Sequence, residues 1–281
     1  MSSVLEKSLA IVELLADHPT GLPVSAIAAH TEQPASGVHR TLQELARLGY
    51  VRQLQTQGDY VLTIRMPAMG LGFLGRAGVT DVAQPILDAL AAFSGELIRL
   101  SVVDSGKLIW VAVAQGATRG LRYDPGQEQG VVVHLASSSG GKAWLSTMSD
   151  EDALARVSEQ GLIRKADSAG PNAPRSLKLL LDQLAEARTL GYAVAVDSYL
   201  AGMAAMAVPV RYRLSGPVVG CLSIAGPAVR MTAARMAELA PHLKAAATEL
   251  GEAASGSKYF QVNIRALESG LRVDSAQPSP R

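Results

Sequence analysis

Cysteine is nearly absent. Cys221 is the one thiol in 281 residues, so neither an intrachain disulfide nor a Cys-rich zinc site can form. That usage suits a reducing compartment. Aromatic residues make up only 4% of the chain, whereas hydrophobic residues of all kinds make up 48%. The cores must therefore be aliphatic. An excess of charge is also lacking: 26 Lys and Arg against 25 Asp and Glu leave a net +1. This excludes a uniformly basic nucleic-acid coat but leaves room for a local basic face. No apolar run reaches the ~18 residues that a membrane span requires. Residues 1–20 lack the basic-then-apolar pattern of a secretory signal. The expectation is a cytoplasmic chain without a membrane partner. His18, His30, His39, His134 and His242 are scattered, with no H-x-x-x-H or H-E-x-x-H spacing. No metal site is supported and no cofactor is expected.

What is present changes period near residue 50. Val4, Leu5, Leu9, Val12, Leu15 and Ala16 recur at helical spacing, and Pro19 and Gly21 stop that helix. PVSAIAAHT starts with Pro23 and forms a short second helix. Pro34 opens a third, running to about Leu48, with Gly49 placed to end it in a left-handed turn. Tyr50–Leu54 and Asp59–Thr63 then read as two strands around a polar tip, Gln55-Thr56-Gln57. Three helices followed by a hairpin is the order of a winged helix-turn-helix. Residues 66–78, MPAMGLGFLGRAG, read as a helical connector or as a loose linker.

From residue 79 the pattern is α/β. Helices are expected over 80–93, 139–147, 150–159, 175–190 and 231–251, the last taken as final. Strands are expected over 97–103, 107–114, 192–196, 203–210 and 218–224, with Gly226-Pro227 ending the last. Val131–Leu135 is a further apolar run. The tail from 256 to 281 is expected to fray. The working division is 1–65, 66–78, 79–255 and 256–281.

In the third helix Val38, Leu42 and Leu45 share one sector, and Ser36, Arg40, Gln43 and Arg47 point the other way. Any solvated surface helix shows such a division. The preceding short helix and the hairpin that follows, with Arg52 at its base, favour DNA. Arg can take two acceptors of a guanine edge and Gln can pair with adenine. The candidate DNA-contacting set is Ser25, Ala35, Ser36, Gly37, His39, Arg40, Gln43, Arg47 and Arg52. Residues 1–65 are slightly acidic as a whole, so the positive field is confined to the third helix and wing. Weak binding by one copy points to a homodimer on a palindrome of double-stranded DNA.

The stretch LEKSLAIVELLADHPTGLPVSAIAAHTEQPASGVHRTLQELARLGYV resembles the DNA-binding domain of the IclR family of bacterial transcriptional regulators. Gly37 departs from its pattern, which carries Thr there. HLASSSGGKAWLS at 134–146, GYAVAVDSYLAGMAAMAVPV at 191–210 and GPVVGCLSIAGP at 216–227 are similar to the family's C-terminal segments. The resemblance implies a two-domain α/β architecture: a winged helix-turn-helix joined to a GAF-like α/β domain that binds a small-molecule effector. It also implies dimers or tetramers.

The resemblance places the family's polar pocket anchors on Ala195, Ala205, Ser223 and Ala225. Three of the four are methyls here, which predicts a larger, partly apolar effector such as an aromatic acid, amide or ester. Ser137, Ser138, Ser139, Gly140 and Gly141 would offer hydroxyls and N–H groups at a helix start. Trp110, Arg122, Tyr123, His134, Met203 and Met206 would line the rest, although Trp110 and both methionines read equally well as core. Rival readings are weaker. G-x-x-x-x-G-K-[ST] and G-x-S-x-G both fail, which counts against a phosphate loop and against a hydrolase using Ser137–Ser139. A pure interaction module leaves the winged helix unexplained. Cys221 reads as buried core.

Overall fold

The computed structural model describes residues 3–55, 58–124, 128–164 and 169–268. The chain divides into two compact units, Met1–Arg76 and Ala77–Arg281. In the first, α1 (Val4–Ala16), α2 (Val24–His30) and α3 (Ala35–Arg47) precede a hairpin of β1 (Val51–Gln53) and β2 (Tyr60–Leu62), and α4 (Arg65–Ala77) follows. A capping box between Ser3 and Glu6 starts α1. Gly49, at φ +79°, ends α3 as expected. Gly21, at φ +98°, brings the chain against Val61, and its neighbour Leu22 pairs with Tyr60 as a third short rung beside the hairpin. Ile11, Leu15, Ile27, Val38, Leu42, Val51 and Tyr60 form one core. The tip residues Thr56 and Gln57 lie outside the described residues.

The buried face of α1 differs from the expected stripe. Ile11, Val12 and Leu15 are inside, whereas Val4, Leu5 and Leu9 are exposed. Leu5 and Leu9 sit about 120–160° around the helix from Ile11, and Val4 lies two turns ahead of it. Residues 66–78 take the helical alternative, as α4.

The second unit has a five-stranded antiparallel sheet in the order β4-β3-β7-β6-β5. Its strands are β3 (Leu97–Asp104), β4 (Lys107–Gln115), β5 (Ala193–Val196), β6 (Met203–Arg211) and β7 (Val218–Pro227). One face meets α5 (Thr80–Ser94) and α9 (Ala233–Ala253). The other meets α6 (Ser139–Leu145), with α8 (Leu177–Leu190) and α7 (Asp150–Gln160) packed behind it. Alternation assigns Leu100, Met206, Val208, Leu222 and Ile224 to the α5–α9 face, and Ser101, Ala207 and Cys221 to the α6 face.

Two expectations for this unit are corrected. β7 runs through Gly226 to Pro227 rather than stopping before them, because Pro227 sits at the strand's last rung, where its missing N–H costs no interior ladder bond. The glycine is needed, since a Cβ at 226 would collide with the Glu96 carboxylate. The apolar run 131–135 makes a single bridge, Val132 with Ile109, and turns into α6. Helix α9 is not final: α10 (Lys258–Glu268) follows in the supposed tail, held by Phe260 and Ile264, which are buried one turn apart. Residues 269–281 lie outside the described residues.

Both rims of the sheet carry contacts from other segments. On β5, the Val194 carbonyl accepts from Lys142 Nζ and the Val196 carbonyl from Asn172 Nδ2, each at 3.3 Å. Along β4, Gly130 N donates to Trp110 O, Trp110 N to Val131 O, and Val133 N to Leu108 O.

Candidate DNA-reading helix and effector site

Helix α3 has two well-separated faces. Val38 and Leu42 are fully buried and Leu45 is half-buried. Ser36, Arg40, Gln43 and Arg47 fall within about 60° of one another on the opposite side, and all four are exposed. Ala35, Gly37 and His39 are exposed beside them, as are Ser25 on α2 and Arg52 on β1. Pro34 begins the helix and no side chain caps it, so the first-turn N–H groups remain available to an anion. Among the described residues, no atom lies within 4 Å of where a Cβ on Gly37 would stand, so packing does not demand the glycine.

Two arginines carry other duties. Arg47 Nε pairs with Glu44 Oε2 at 3.0 Å, but both side chains are more than 60% exposed, so the pair is weak and exchangeable. Arg65 donates to the Leu48 carbonyl at 2.7 Å and lies over the Tyr50 ring, closing the end of α3.

In the second unit the three methyl anchors form a single rung. Ala195 pairs with Ala205, Ala205 with Ala225, and Ala225 with Leu97. The next rung on that face holds Ala207, Ser223 and Arg99. Met203 shares the face of Ala205. Met206 does not: it is three residues on, points to the α5–α9 side and is fully buried, so it cannot line the pocket. Trp110 and Tyr123 are brought together, but around Arg99 (Cζ 5.1 Å from each ring centroid). Tyr199 meets Trp110 edge-on at 5.5 Å. Arg122 is exposed, with no contact to this cluster among the described residues.

The 134–141 turn is largely satisfied internally. Ser138 Oγ accepts from Gly141 N at 2.9 Å and donates to His134 O at 2.7 Å. Ser137 is 1% exposed, with its hydroxyl 2.8 Å from His134 Nδ1, and its carbonyl accepts from Ser198 Oγ. Ser139 is buried, and Gly140 packs over Leu108 and Cys221. Gly141 is required by packing, since a Cβ there would overlap the Leu135 backbone. The hydroxyls of Ser137 and Ser138 are therefore committed to building the turn. Burial, then the nearby Arg164, holds the His134 pKa low, partly opposed by the Gly161 backbone. Burial pushes the Cys221 thiol up, consistent with an inert core residue. Asp197, at φ +49°, accepts from Gly202 N and shapes a turn.

Sequence reasoning missed Arg99. It is 6% exposed in the middle of β3, and its Nη2 lies 2.8 Å from Glu128 Oε2. Tyr123 donates its hydroxyl to Glu128 Oε1 at 2.7 Å. Burial lowers the Arg99 pKa, while Glu128 opposes it. Burial raises the Tyr123 phenol, and its bond to Glu128 adds to this. The signal was legible: one cation inside the run LIRLSVV. A bidentate pair, Arg230 with Glu96 at 2.7 and 2.8 Å, pins the same region, because Arg230 also donates to Leu121 O. Separately, a cavity of about 350 Å³ lies along the β5 rim, lined by Lys142, Gln183, Glu186, Tyr192, Val194 and Met236. None of the residues expected to hold an effector lines it.

Known proteins agree with this geometry. The IclR helix-turn-helix domain pattern matches residues 4–55, and the pattern described as bacterial transcriptional regulator IclR C-terminal matches residues 72–252. The acetate operon repressor of Salmonella typhimurium is 28% identical over 255 residues, covering 90% of each chain. The HTH-type transcriptional regulator BhcR of Paracoccus denitrificans is 29% identical, covering 88% of this chain and 85% of its own. Among solved structures, an IclR homolog from Microbacterium hydrocarbonoxydans complexed with 4-hydroxybenzoate superposes with a TM-score of 0.69 at 21% identity, covering 91% of this chain and all of that one. These relatives are regulators and repressors, and the hydrolase reading finds no support among them. With a helix-turn-helix unit matched at one end and the C-terminal pattern over most of the remainder, the chain belongs to the IclR family of transcriptional regulators.

Proposed function

We propose that this regulator binds a palindromic operator as a dimer or tetramer in the cytoplasm and is switched by a small, partly apolar acid-like effector. The observation that carries the DNA reading is the exposed stripe Ser36, Arg40, Gln43 and Arg47, backed by the buried Val38 and Leu42. A stripe about 60° wide fits a helix laid in one major groove. Arg40 has the reach for a base edge, the uncapped turn at Ala35–Gly37 suits a backbone phosphate, and Arg52 suits a phosphate beside the wing. In the division 1–65, 66–78 and 79–255, the first part reads DNA, the second connects and the third senses.

Self-association is supported by apolar side chains left in solvent on two helices. Val4, Leu5 and Leu9 are exposed on α1, as are Met69, Leu71 and Phe73 on α4. Such surfaces mark contacts between chains. The effector class follows from the methyl rung of Ala195, Ala205 and Ala225 and from the aromatic side chains of Trp110, Tyr123 and Tyr199 on the neighbouring rungs and loops. The structural neighbour that holds 4-hydroxybenzoate is compatible with an aromatic acid here.

The test is fluorescence anisotropy with the DNA upstream of its own gene. Arg40→Ala is expected to weaken binding by roughly 1–3 kcal/mol if Arg40 reads a base. An unchanged affinity at low salt would remove Arg40 from the interface.

A further inference from the structure

We propose that Arg99 is the carboxylate-binding residue of the effector site, and that Glu128 holds its place until a ring-bearing carboxylate replaces it. The proposal rests on the effector reading above and deepens it. A guanidinium at the centre of a sheet face is not explained by stability. A buried Arg–Glu pair is often no better than apolar residues of the same volume. The arrangement around it is that of a recognition site. Arg99 lies against two aromatic rings, Trp110 and Tyr123, with Tyr199 edge-on to the first. Among the described residues its buried Nε has no hydrogen-bond partner. Its ion pair with Glu128, although 2.8 Å long, leaves Glu128 Oε2 without a well-formed hydrogen bond. Arginine's planar fork is suited to two parallel bonds to one carboxylate, and Glu128 does not fill that fork.

The exchange is balanced in charge. One carboxylate leaves Arg99 and another arrives, so no net charge is buried or exposed. No proton moves. The incoming ligand gains the fork that Glu128 leaves half used, and its ring gains the aromatic walls. The Tyr123 wall is anchored independently of Glu128: Gln115 Nε2 donates to the Tyr123 carbonyl at 2.8 Å, and Arg230 donates to the Leu121 carbonyl at 2.7 Å. A side-chain exchange at Glu128 therefore suffices. The neighbouring rung, with Ala225 two residues along the strand from Ser223, presents only methyls beside Arg99 at Ala195, Ala205 and Ala225. Neutral rings lack the charge that Arg99 needs, so the site selects acids over the corresponding amides and alcohols.

The experiment is calorimetry on the full chain at pH 7 with benzoate and, as a neutral isostere, benzamide. The wild type should bind benzoate in preference to benzamide. Glu128→Gln removes the resident carboxylate and should tighten benzoate binding about tenfold or more. Arg99→Gln combined with Glu128→Gln leaves a neutral pair of similar shape, which guards against misfolding. It should weaken benzoate about 30-fold or more from the Glu128→Gln level and erase the preference over benzamide. Arg99→Lys in the Glu128→Gln background should recover only part of the affinity, because the charge returns without the fork. Benzoate binding that is the same in the wild type and the double variant would overturn the assignment of Arg99 while leaving an acid effector elsewhere on this face. Glu128→Gln that leaves benzoate affinity unchanged or weaker would overturn the place-holder role. Failure of both the wild type and Glu128→Gln to bind benzoate would overturn the assignment. Failure of a wider panel of aromatic acids to bind or to shift DNA affinity would remove the effector reading with it.

Discussion

Lys142 is the most consequential charge in the second unit that neither proposed site uses. It is 2% exposed, and its Nζ donates to the Val194 carbonyl at 3.3 Å. Burial, opposed by Glu186, brings its pKa from 10.5 to about 8. Between those values the unfolded chain holds a proton that the folded chain has released, so stability rises with pH across the window. The penalty is fully present below about pH 8 and relieved towards pH 10.5. Its size is roughly 3 kcal/mol. Lys142→Met keeps the length and removes the charge. It also removes one hydrogen bond, worth about 1 kcal/mol. The variant should therefore be more stable than the wild type by about 2 kcal/mol at pH 7, lose that lead near pH 10, and fall behind by about 0.5 kcal/mol at pH 10.5. Urea unfolding followed by tryptophan fluorescence is a suitable assay, because the only two tryptophans, Trp110 and Trp144, both belong to the second unit. A difference between the two proteins that stays constant from pH 7 to pH 10 would refute the argument.

Other outcomes follow from packing. Gly37→Ala meets open space in an exposed helix and should stabilise the first unit by roughly 0.5–1 kcal/mol, read as a rise in Tm. Gly141→Ala should cost more than about 2 kcal/mol, since its Cβ overlaps the Leu135 backbone. Gly140→Ala, where the nearest atom is 3.8 Å away, should cost less than about 1 kcal/mol in the same denaturation assay. Leu5→Ser and Leu71→Ser, at positions 68% and 69% exposed, should each leave the fold intact. Each should weaken self-association by about tenfold or more in sedimentation equilibrium.

The architecture was legible because it is written in local periods. The three-residue and four-residue spacing of α3, the left-handed turn at Gly49 and the apolar runs of β3 and β4 around Ser105-Gly106 all act over a few neighbours. What failed to show depends on distant partners. Val4, Leu5 and Leu9 have helical spacing, but nothing in the spacing says that α1 buries only Ile11, Val12 and Leu15. Phe260 and Ile264 lie one turn apart in a stretch otherwise polar enough to pass for a tail. The candidate effector site was half legible. Family resemblance led to Ala195, Ala205 and Ala225, and strand pairing places them side by side. Arg99 and Glu128 are 29 positions apart and meet only because β3 lies under the segment that follows β4. The Ser137–Gly141 turn looked like a binding loop because hydroxyls and glycines serve both purposes. Here Ser138 caps α6 and Gly141 permits a close backbone approach.

The contacts along both rims of the sheet bear on how this protein behaves in a crowded cell. An open rim is a row of donors and acceptors on which a foreign strand can grow, and chains that present one are prone to polymerise. Here Lys142 and Asn172 occupy carbonyls on β5, and Gly130–Val133 close the rim of β4. The β5 rim is only four residues long, and the β4 rim is paired by Gly130, Val131 and Val133. Lys142 thus has two effects: its ammonium weakens the folded state below about pH 8, and it occupies a β5 carbonyl that a second strand would otherwise use.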